Sequence, residues 1–206
     1  MLRVGLTGGV ACGKTTVAEM LRRRGAHIIY ADEIAHQMMS PGQPVYQEVV
    51  KRFGSAILRA DGQIDRAKLA EAAFGAGRIK DLNMIVHPPV IARQEQWMAE
   101  VGQKDPHAIA VVEAALILEA GVGRRFDKLV VVACQPEQKA ARYAARHGIS
   151  LEAAQAEVTR RSAAQLPDSE KAAAANFLID NSGSREETEV QVEKVFAELQ
   201  KLAQKS

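Results

Sequence analysis

Apolar residues along this chain alternate between short unbroken runs and recurrences at intervals of three and four. Leu2 to Thr7 (LRVGLT) is an apolar run ended by glycines, and it predicts a buried strand. Val17, Ala18 and Leu21 then recur at helical spacing between Lys14 and Arg24, and Gly25 supplies the stop. His27 to Ala31 (HIIYA) predicts a second strand, with Asp32 capping the helix that follows. Further strands are expected at Ala108 to Ala114, Lys128 to Cys134 and, less strongly apolar, Asn176 to Asp180. A last helix is expected from Arg185 to Leu202, with Val192, Val195, Phe196, Leu199 and Leu202 on one face.

Strands that are apolar along their whole length and alternate with helices imply an α/β fold, a parallel sheet covered on both faces. The spacing is uneven. Between the second and third strands the chain reads as helical only, in VYQEVVKRF, RAKLAEAAF, RIKDLNMIV and PPVIARQEQWMAEV, with His87-Pro88 as punctuation between the last two. Pro136 to Ser169 is a second helical excursion, rich in arginine. We therefore expect a single domain over residues 1–206, with its core in 1–31, 106–135 and 170–206. A helical insertion at about 32–105 builds a binding site, and a lid spans about 136–169. No internal repeat, low-complexity segment or linker interrupts this plan.

Composition narrows the function classes. Of 206 residues, 47% are hydrophobic and 25% charged, an ordinary globular balance. The net charge of +2 creates no global field that would draw the protein to nucleic acid or to a membrane surface. Cys12 and Cys134 lie far apart without metal-ligand spacing, which fits a reducing compartment. No apolar run reaches the roughly 18 residues of a membrane helix. The opening MLRVGLTGG is too short in its apolar part for a signal peptide. The expected location is cytoplasmic, and no obligate protein partner is indicated.

The chemistry begins at GLTGGVACGKTT. Gly8, Gly13, Lys14 and Thr15 satisfy G-x-x-x-x-G-K-[ST], with a predicted strand before and a predicted helix after. Glycines at 8, 9 and 13 let the backbone curl and approach phosphate closely. The loop amides form an anion nest, and the helix N-terminus adds partial positive charge. The expected nucleotide contacts are Gly8, Gly9, Val10, Ala11, Cys12, Gly13, Lys14, Thr15 and Thr16. Lys14 reaches the outer phosphates, and the Thr15 hydroxyl is the expected Mg2+ contact. Cys12 supplies a backbone amide; a sharper reading gives it a lowered thiol pKa through Lys14 and the helix terminus.

A phosphate loop alone does not distinguish kinases from GTPases, motors or switches. No N-K-x-D segment is present to read guanine, and the length leaves little room for a motor. Asp32, at the end of the second strand, lies on the sheet edge where ligands bind in parallel sheets. It is a candidate base for an attacking hydroxyl, a helix cap, or both. Arg142 and Arg146, four apart on one helix face, and Arg160 and Arg161 on the next helix are candidate phosphate clamps or solvated charges.

These residues resemble the dephospho-CoA kinase family. VGLTGGVACGKTTVAEML looks like its phosphate loop, and YADEIAH (Tyr30 to His36) resembles the segment carrying its catalytic aspartate. FGSAILRADGQIDRAKLAEAAF (Phe53 to Phe74) and LNMIVHPPV (Leu82 to Val90) resemble its D-G-x-I/L-D-R and L-N-x-I-x-H-P motifs. QKAARYAARHGIS (Gln138 to Ser150) and RRSAAQLPDSEKAAAANFLIDNSGS (Arg160 to Ser184) are similar to its lid and closing strand. The resemblance covers essentially the whole chain. It implies a three-layer P-loop kinase fold with a five-stranded parallel sheet, and transfer of phosphate from ATP to the ribose 3′-hydroxyl of dephospho-CoA. It further implies Lys14 and Thr15 on ATP and Mg2+, Asp32 as base and Arg142 as lid arginine. Asp65, Arg66, Asn83 and His87, with Asp32, become the substrate contacts; Asp65 can equally cap the helix beginning at Arg66. The chain departs from the family pattern in VVEAALILE (Val111 to Glu119), where Glu113 replaces the commoner aspartate and Ala115 a proline. Glu113 keeps an acidic group for an outer-sphere Mg2+ contact. Asn176 stands where the closing strand usually has aspartate. A small kinase for a nucleoside or nucleotide, or a nucleotide switch without transfer activity, are the competing readings.

Overall fold

The computed structural model describes residues 1–75 and 77–205. In chain order the elements are β1 (Leu2–Gly8), α1 (Lys14–Arg23), β2 (His27–Tyr30), α2 (Ala31–Met38), α3 (Pro44–Phe53), α4 (Arg66–Phe74) and α5 (Ile79–Lys104). They continue with β3 (Ile109–Glu113), β4 (Lys128–Ala133), α6 (Pro136–His147), α7 (Leu151–Ala163), α8 (Asp168–Ala173), β5 (Phe177–Asp180) and α9 (Arg185–Ala203). The strands form one five-stranded parallel sheet, flanked by helices, in the order β2-β3-β1-β4-β5. β1 is central, paired in parallel with β3 from Leu2↔Ile109 to Leu6↔Glu113 and with β4 from Val4↔Lys128 to Gly8↔Val132.

The central strands are buried. Val4, Leu6, Ala110, Val111, Val130 and Val132 are buried to within 1% of their surface, as strands covered on both faces require. Gly5 lies where a Cβ would press on Phe126, Leu129 and Ile117, so glycine here makes room for the apolar cluster on that face. α9 is opened by a capping box. The Ser184 hydroxyl accepts from the Glu187 amide at 3.1 Å, and the Glu187 carboxylate accepts from the Ser184 amide at 2.7 Å.

The chain divides into two compact units, Met1–Ile29 with Met98–Ser206, and Tyr30–Trp97. The first holds nearly all of the sheet. The second holds α2, α3, α4 and most of α5. Within it the Tyr46 hydroxyl donates to the Gly62 carbonyl at 2.6 Å, and the Arg52 guanidinium donates to Asp81 at 3.0 Å through Nε.

Two local expectations change. The helix after β2 starts at Ala31, and its N-cap is Tyr30 without a side-chain cap bond, so Asp32 stands inside the first turn instead of capping it. The strand passes into the helix without an intervening loop, so the cap falls at Tyr30 instead of Asp32, two residues earlier. The expected break at His87-Pro88 is absent, for α5 runs through Pro88 and Pro89 as one helix of 26 residues. Pro88 and Pro89 leave the Met84 and Ile85 carbonyls without their helical donors; Met84 is 68% exposed and Ile85 only partly buried, so water can reach this turn.

Candidate active site

β1 ends at Gly8 and α1 begins at Lys14, leaving Gly9 to Gly13 as the turn. The turn is tight for reasons the neighbours supply. A Cβ on Gly8 would meet the Val132 carbonyl of β4, and Gly8 has φ +151. Gly13, the α1 N-cap, is left-handed at φ +91, and Ala11 adopts φ 56 without being glycine. Glycine takes such conformations freely, but at Ala11 the left-handed backbone persists only where surrounding contacts impose it. Here Val10 packs with Tyr143, Ala154 and Val158, and Ala11 leans on the same cluster. The helices expected to form a lid, α6 and α7, are thus anchored to the loop by Val10.

Charge converges on the turn. Lys14 Nζ donates to the Gly8 and Gly9 carbonyls at 3.1 and 2.9 Å, curling its side chain back over the loop. The Thr15 hydroxyl, on the first turn of α1, donates to Glu113 Oε2 at 3.4 Å at the end of β3. Arg142 Nη2, on α6, donates to the Asn181 carbonyl at 2.8 Å, while its Nη1 is buried without a hydrogen-bond partner among the described residues. Asn181, just beyond β5, donates through Nδ2 to the Cys12 carbonyl at 2.8 Å and accepts from the Thr188 hydroxyl at 2.9 Å. A connected path therefore runs from the loop through Asn181 to Arg142.

Lys139 and Asp168 form an ion pair that the residue pattern did not single out. Asp168 Oδ1 and Lys139 Nζ occupy the space where a side chain on residue 9 would project, so Gly9 is needed for more than its backbone freedom. Burial is the largest single influence on Lys139 and would lower its pKa; the hydrogen bond to Asp168 and the negative charge of Cys12 and Asp168 together outweigh it and hold the ammonium above its ordinary value. Cys12 and Cys134 also meet here, their sulfurs 3.0 Å apart with the Cys134 thiol donating. That hydrogen bond lowers the Cys12 thiol to about 7 against the opposing effect of burial, with Lys139 assisting. The same bond, with burial, raises Cys134.

The other arginines are engaged locally. Arg160 donates to Glu157 at 2.8 and 2.7 Å and Arg161 at 2.6 Å, all along α7, and Arg146 is exposed. In the second unit, Asp32 is the second residue of α2. Asp65 caps α4, accepting from the Ala67 and Lys68 amides at 2.9 and 3.3 Å. These amide bonds, chiefly that from Lys68, depress its pKa. Arg66 follows, exposed, at the first position of the helix. Asn83 and His87 are both partly buried and one helical turn apart on α5, and burial lowers the His87 pKa.

Sequence reasoning missed Lys139, Asp168, Asn181 and the proximity of Cys134 to Cys12. Only Asn181 carried a usable signal, a polar residue directly after the last buried strand. Asn176 has a structural role, its Oδ1 accepting from the Leu129 amide at 2.8 Å while its own amide donates to the Leu129 carbonyl at 2.9 Å. It pins the start of β5 to β4 and uses no ion pair. Among the described residues, no helix is long and apolar enough to cross a membrane.

The chain as a whole is similar to known proteins. Residues 2–187 match the family model described as dephospho-CoA kinase. A dephospho-CoA kinase from Aquifex aeolicus is 40% identical over 200 residues, covering 97% of this chain and 98% of the relative. One from Corynebacterium glutamicum is 36% identical with the same two coverages. Among solved structures, a Thermus thermophilus protein superposes with a TM-score of 0.76 at 32% identity, covering 95% of this chain and 96% of that one. A dephospho-CoA kinase from Campylobacter jejuni superposes at 0.68 with 28% identity, covering 96% of each chain.

Proposed function

Because the chain belongs to the dephospho-CoA kinase family, we propose that its phosphate loop is the donor half of a transfer site. The reaction is ATP-dependent phosphorylation of dephospho-CoA, the last step of coenzyme A synthesis. In our reading the acceptor atom is the ribose 3′-hydroxyl, and the products are CoA and ADP.

The loop amides from Gly9 to Gly13, with Lys14, Thr15 and Thr16, hold the ATP phosphates, as a nest at a helix N-terminus suits an anion. Lys14 exchanges the Gly8 and Gly9 carbonyls for phosphate oxygens when nucleotide arrives. Arg142 supplies the second cation. The observation that carries the assignment is its buried, unpartnered Nη1, on a side chain whose other arm is tied through Asn181 to the loop. A guanidinium nitrogen withdrawn from water without an acceptor is costly, and a phosphate oxygen would satisfy it.

Thr15 and Glu113 bring a hydroxyl and a carboxylate together, a hard oxygen pair of the kind Mg2+ accepts alongside phosphate and water. Bound with ATP, the ion would neutralise charge developing on the phosphate oxygens. Asp32 takes the proton from the attacking hydroxyl as general base. Asp65, Arg66, Asn83 and His87 contact the acceptor; Asp65 does so while capping α4, and His87 does so as the neutral imidazole that its burial favours. Cytoplasmic location fits the substrate. A protein or nucleic-acid partner has no part in this reading.

The test is direct: purified protein with ATP, Mg2+ and dephospho-CoA, with the product identified by mass. CoA and ADP in equal amounts are expected. Phosphorylation of a nucleoside or nucleoside monophosphate with none of dephospho-CoA would reassign the acceptor, and slow hydrolysis of ATP with no phosphorylated product would indicate a switch.

A further inference from the structure

We propose that Cys12 and Cys134 are a peroxide-sensitive pair whose disulfide reversibly shuts off the kinase by tethering the phosphate loop to the end of β4. Cys12 lies inside the loop, and Cys134 is the first residue after β4. The thiols are free, and their sulfurs are 3.0 Å apart in hydrogen-bond contact. A disulfide has an S–S length of about 2.05 Å, so closure asks for a movement of only about 1 Å.

The surroundings distinguish this pair from inert core cysteines, which are apolar in their neighbours. Lys139 and Asp168 approach the loop at Gly9, beside the Cys12 sulfur. The Cys134 thiol donates to Cys12, so Cys12 is the sulfur favoured as thiolate. Exposure is 0% for Cys12 and 8% for Cys134, which selects a small oxidant such as hydrogen peroxide over a bulky disulfide such as oxidised glutathione.

In the first step the Cys12 thiolate attacks a peroxide oxygen. The S–O bond forms, the O–O bond breaks, and the departing hydroxide takes a proton to become water, leaving a sulfenic acid. In the second step the Cys134 sulfur attacks the sulfenic sulfur. The S–S bond forms, the S–O bond breaks, and hydroxide leaves with the Cys134 proton as water. Two thiols give up two electrons and one peroxide becomes two waters.

The consequence falls on phosphate positioning. Cys12 is two residues before Lys14, and its carbonyl is held by Asn181. Drawing it by about 1 Å toward β4 displaces the amides that face phosphate, and misplacement of that size costs about 10²-fold in rate. This consequence rests on the reading of the loop as the nucleotide seat; the formation of the disulfide does not.

The experiment exposes the full chain to hydrogen peroxide and follows ATP affinity, turnover and a non-reducing peptide map. A peptide joining Cys12 to Cys134, turnover lower by about 10²-fold, and recovery with dithiothreitol are the expected results. The reduced Cys134→Ser variant should match the parent in turnover, yield no linked peptide and carry oxygen on Cys12 after peroxide. Oxygenated Cys12 in the parent without any linked peptide overturns the proposal, as does a linked protein that turns over as fast as the dithiol form. If the variant does not fold, the peptide map and turnover of the parent decide alone. Reduced protein that forms the linkage but binds no ATP would remove the loop reading, and the shut-off with it, while leaving the disulfide in place.

Discussion

Asn181 donates through Nδ2 to the Cys12 carbonyl at 2.8 Å, from the space that a Cβ on Gly13 would need. The glycine and the asparagine are therefore one device. Gly13 gives α1 its left-handed N-cap, and the room left by its missing side chain admits the amide that fixes the loop. Thr188, fully buried on α9, donates to Asn181 Oδ1 and fixes which end of the amide faces Cys12.

Asn181→Ala should weaken the loop before it weakens the fold. The substitution leaves the Cys12 carbonyl and the Thr188 hydroxyl without this partner, at about 1–3 kcal/mol for buried polar groups left unmade. ATP affinity by titration calorimetry should fall alongside a lower melting temperature. Undiminished ATP affinity would show that the loop holds its shape without Asn181.

Asp32→Asn should lower turnover by about 10²- to 10⁴-fold, the usual contribution of a general base, with ATP binding near that of the parent. A loss of less than about threefold lies far below that contribution and would remove Asp32 from the role. Lys14→Ala should damage both ATP affinity and rate, since it removes a charge proposed to sit at the outer phosphates. Unchanged kinetics would contradict the assignment of the loop.

Lys171 is 1% exposed and pairs with Glu119 at 2.8 Å, while donating to Gln165 at 2.8 Å. Lys171→Met leaves the Glu119 carboxylate without its cation, and breaking a buried pair from one side costs about 3–5 kcal/mol. The double variant Lys171→Met with Glu119→Gln should recover part of that loss, because no lone charge remains. Chemical denaturation of the parent, both single variants and the double variant completes the cycle, and simple additivity would show that the pair is not coupled.

Glu157 should make α7 acid-sensitive over a narrow window. Hydrogen bonds from Arg160 and then Arg161 hold its carboxyl at about 2, below the ordinary 4.5. A depressed folded pKa contributes stability that is fully present above the unfolded value, and that contribution is lost as pH falls from about 4.5 towards 2. Arg160 and Arg161 are half exposed, so the contribution is small, about 0–1 kcal/mol. Glu157→Gln should lower stability by that amount at pH 7 and flatten this part of the acid profile. An identical acid profile in the variant would show that the three charges do not act together.

The strands were legible in the chain because a parallel strand covered on both faces must be apolar throughout. The runs at Leu2, Ala108 and Lys128 announced β1, β3 and β4 to within one or two residues. Asp65 was legible as a cap because capping is a contact with residues two and three ahead. Asp32 was misplaced relative to its helix start, because the end of a strand and the start of a helix share no marker when no loop separates them. α5 was expected in two pieces because Pro88 and Pro89 are strong local breakers. Whether their two lost hydrogen bonds matter depends on how exposed the preceding turn is, and residue order does not contain that information.

The phosphate loop could be read from the sequence alone because its chemistry is local: glycines, lysine and threonine must be contiguous to curl the backbone and present amides, cation and hydroxyl together. Its partners could not. Cys134 at Cys12, the Lys139–Asp168 pair at Gly9 and Asn181 between Cys12 and Arg142 come from elements far along the chain; Glu113 at Thr15 was named only through the family resemblance. Parallel pairing brings the carboxyl ends of β1, β3, β4 and β5 to one edge, and that edge gathers residues by strand order, not by sequence distance.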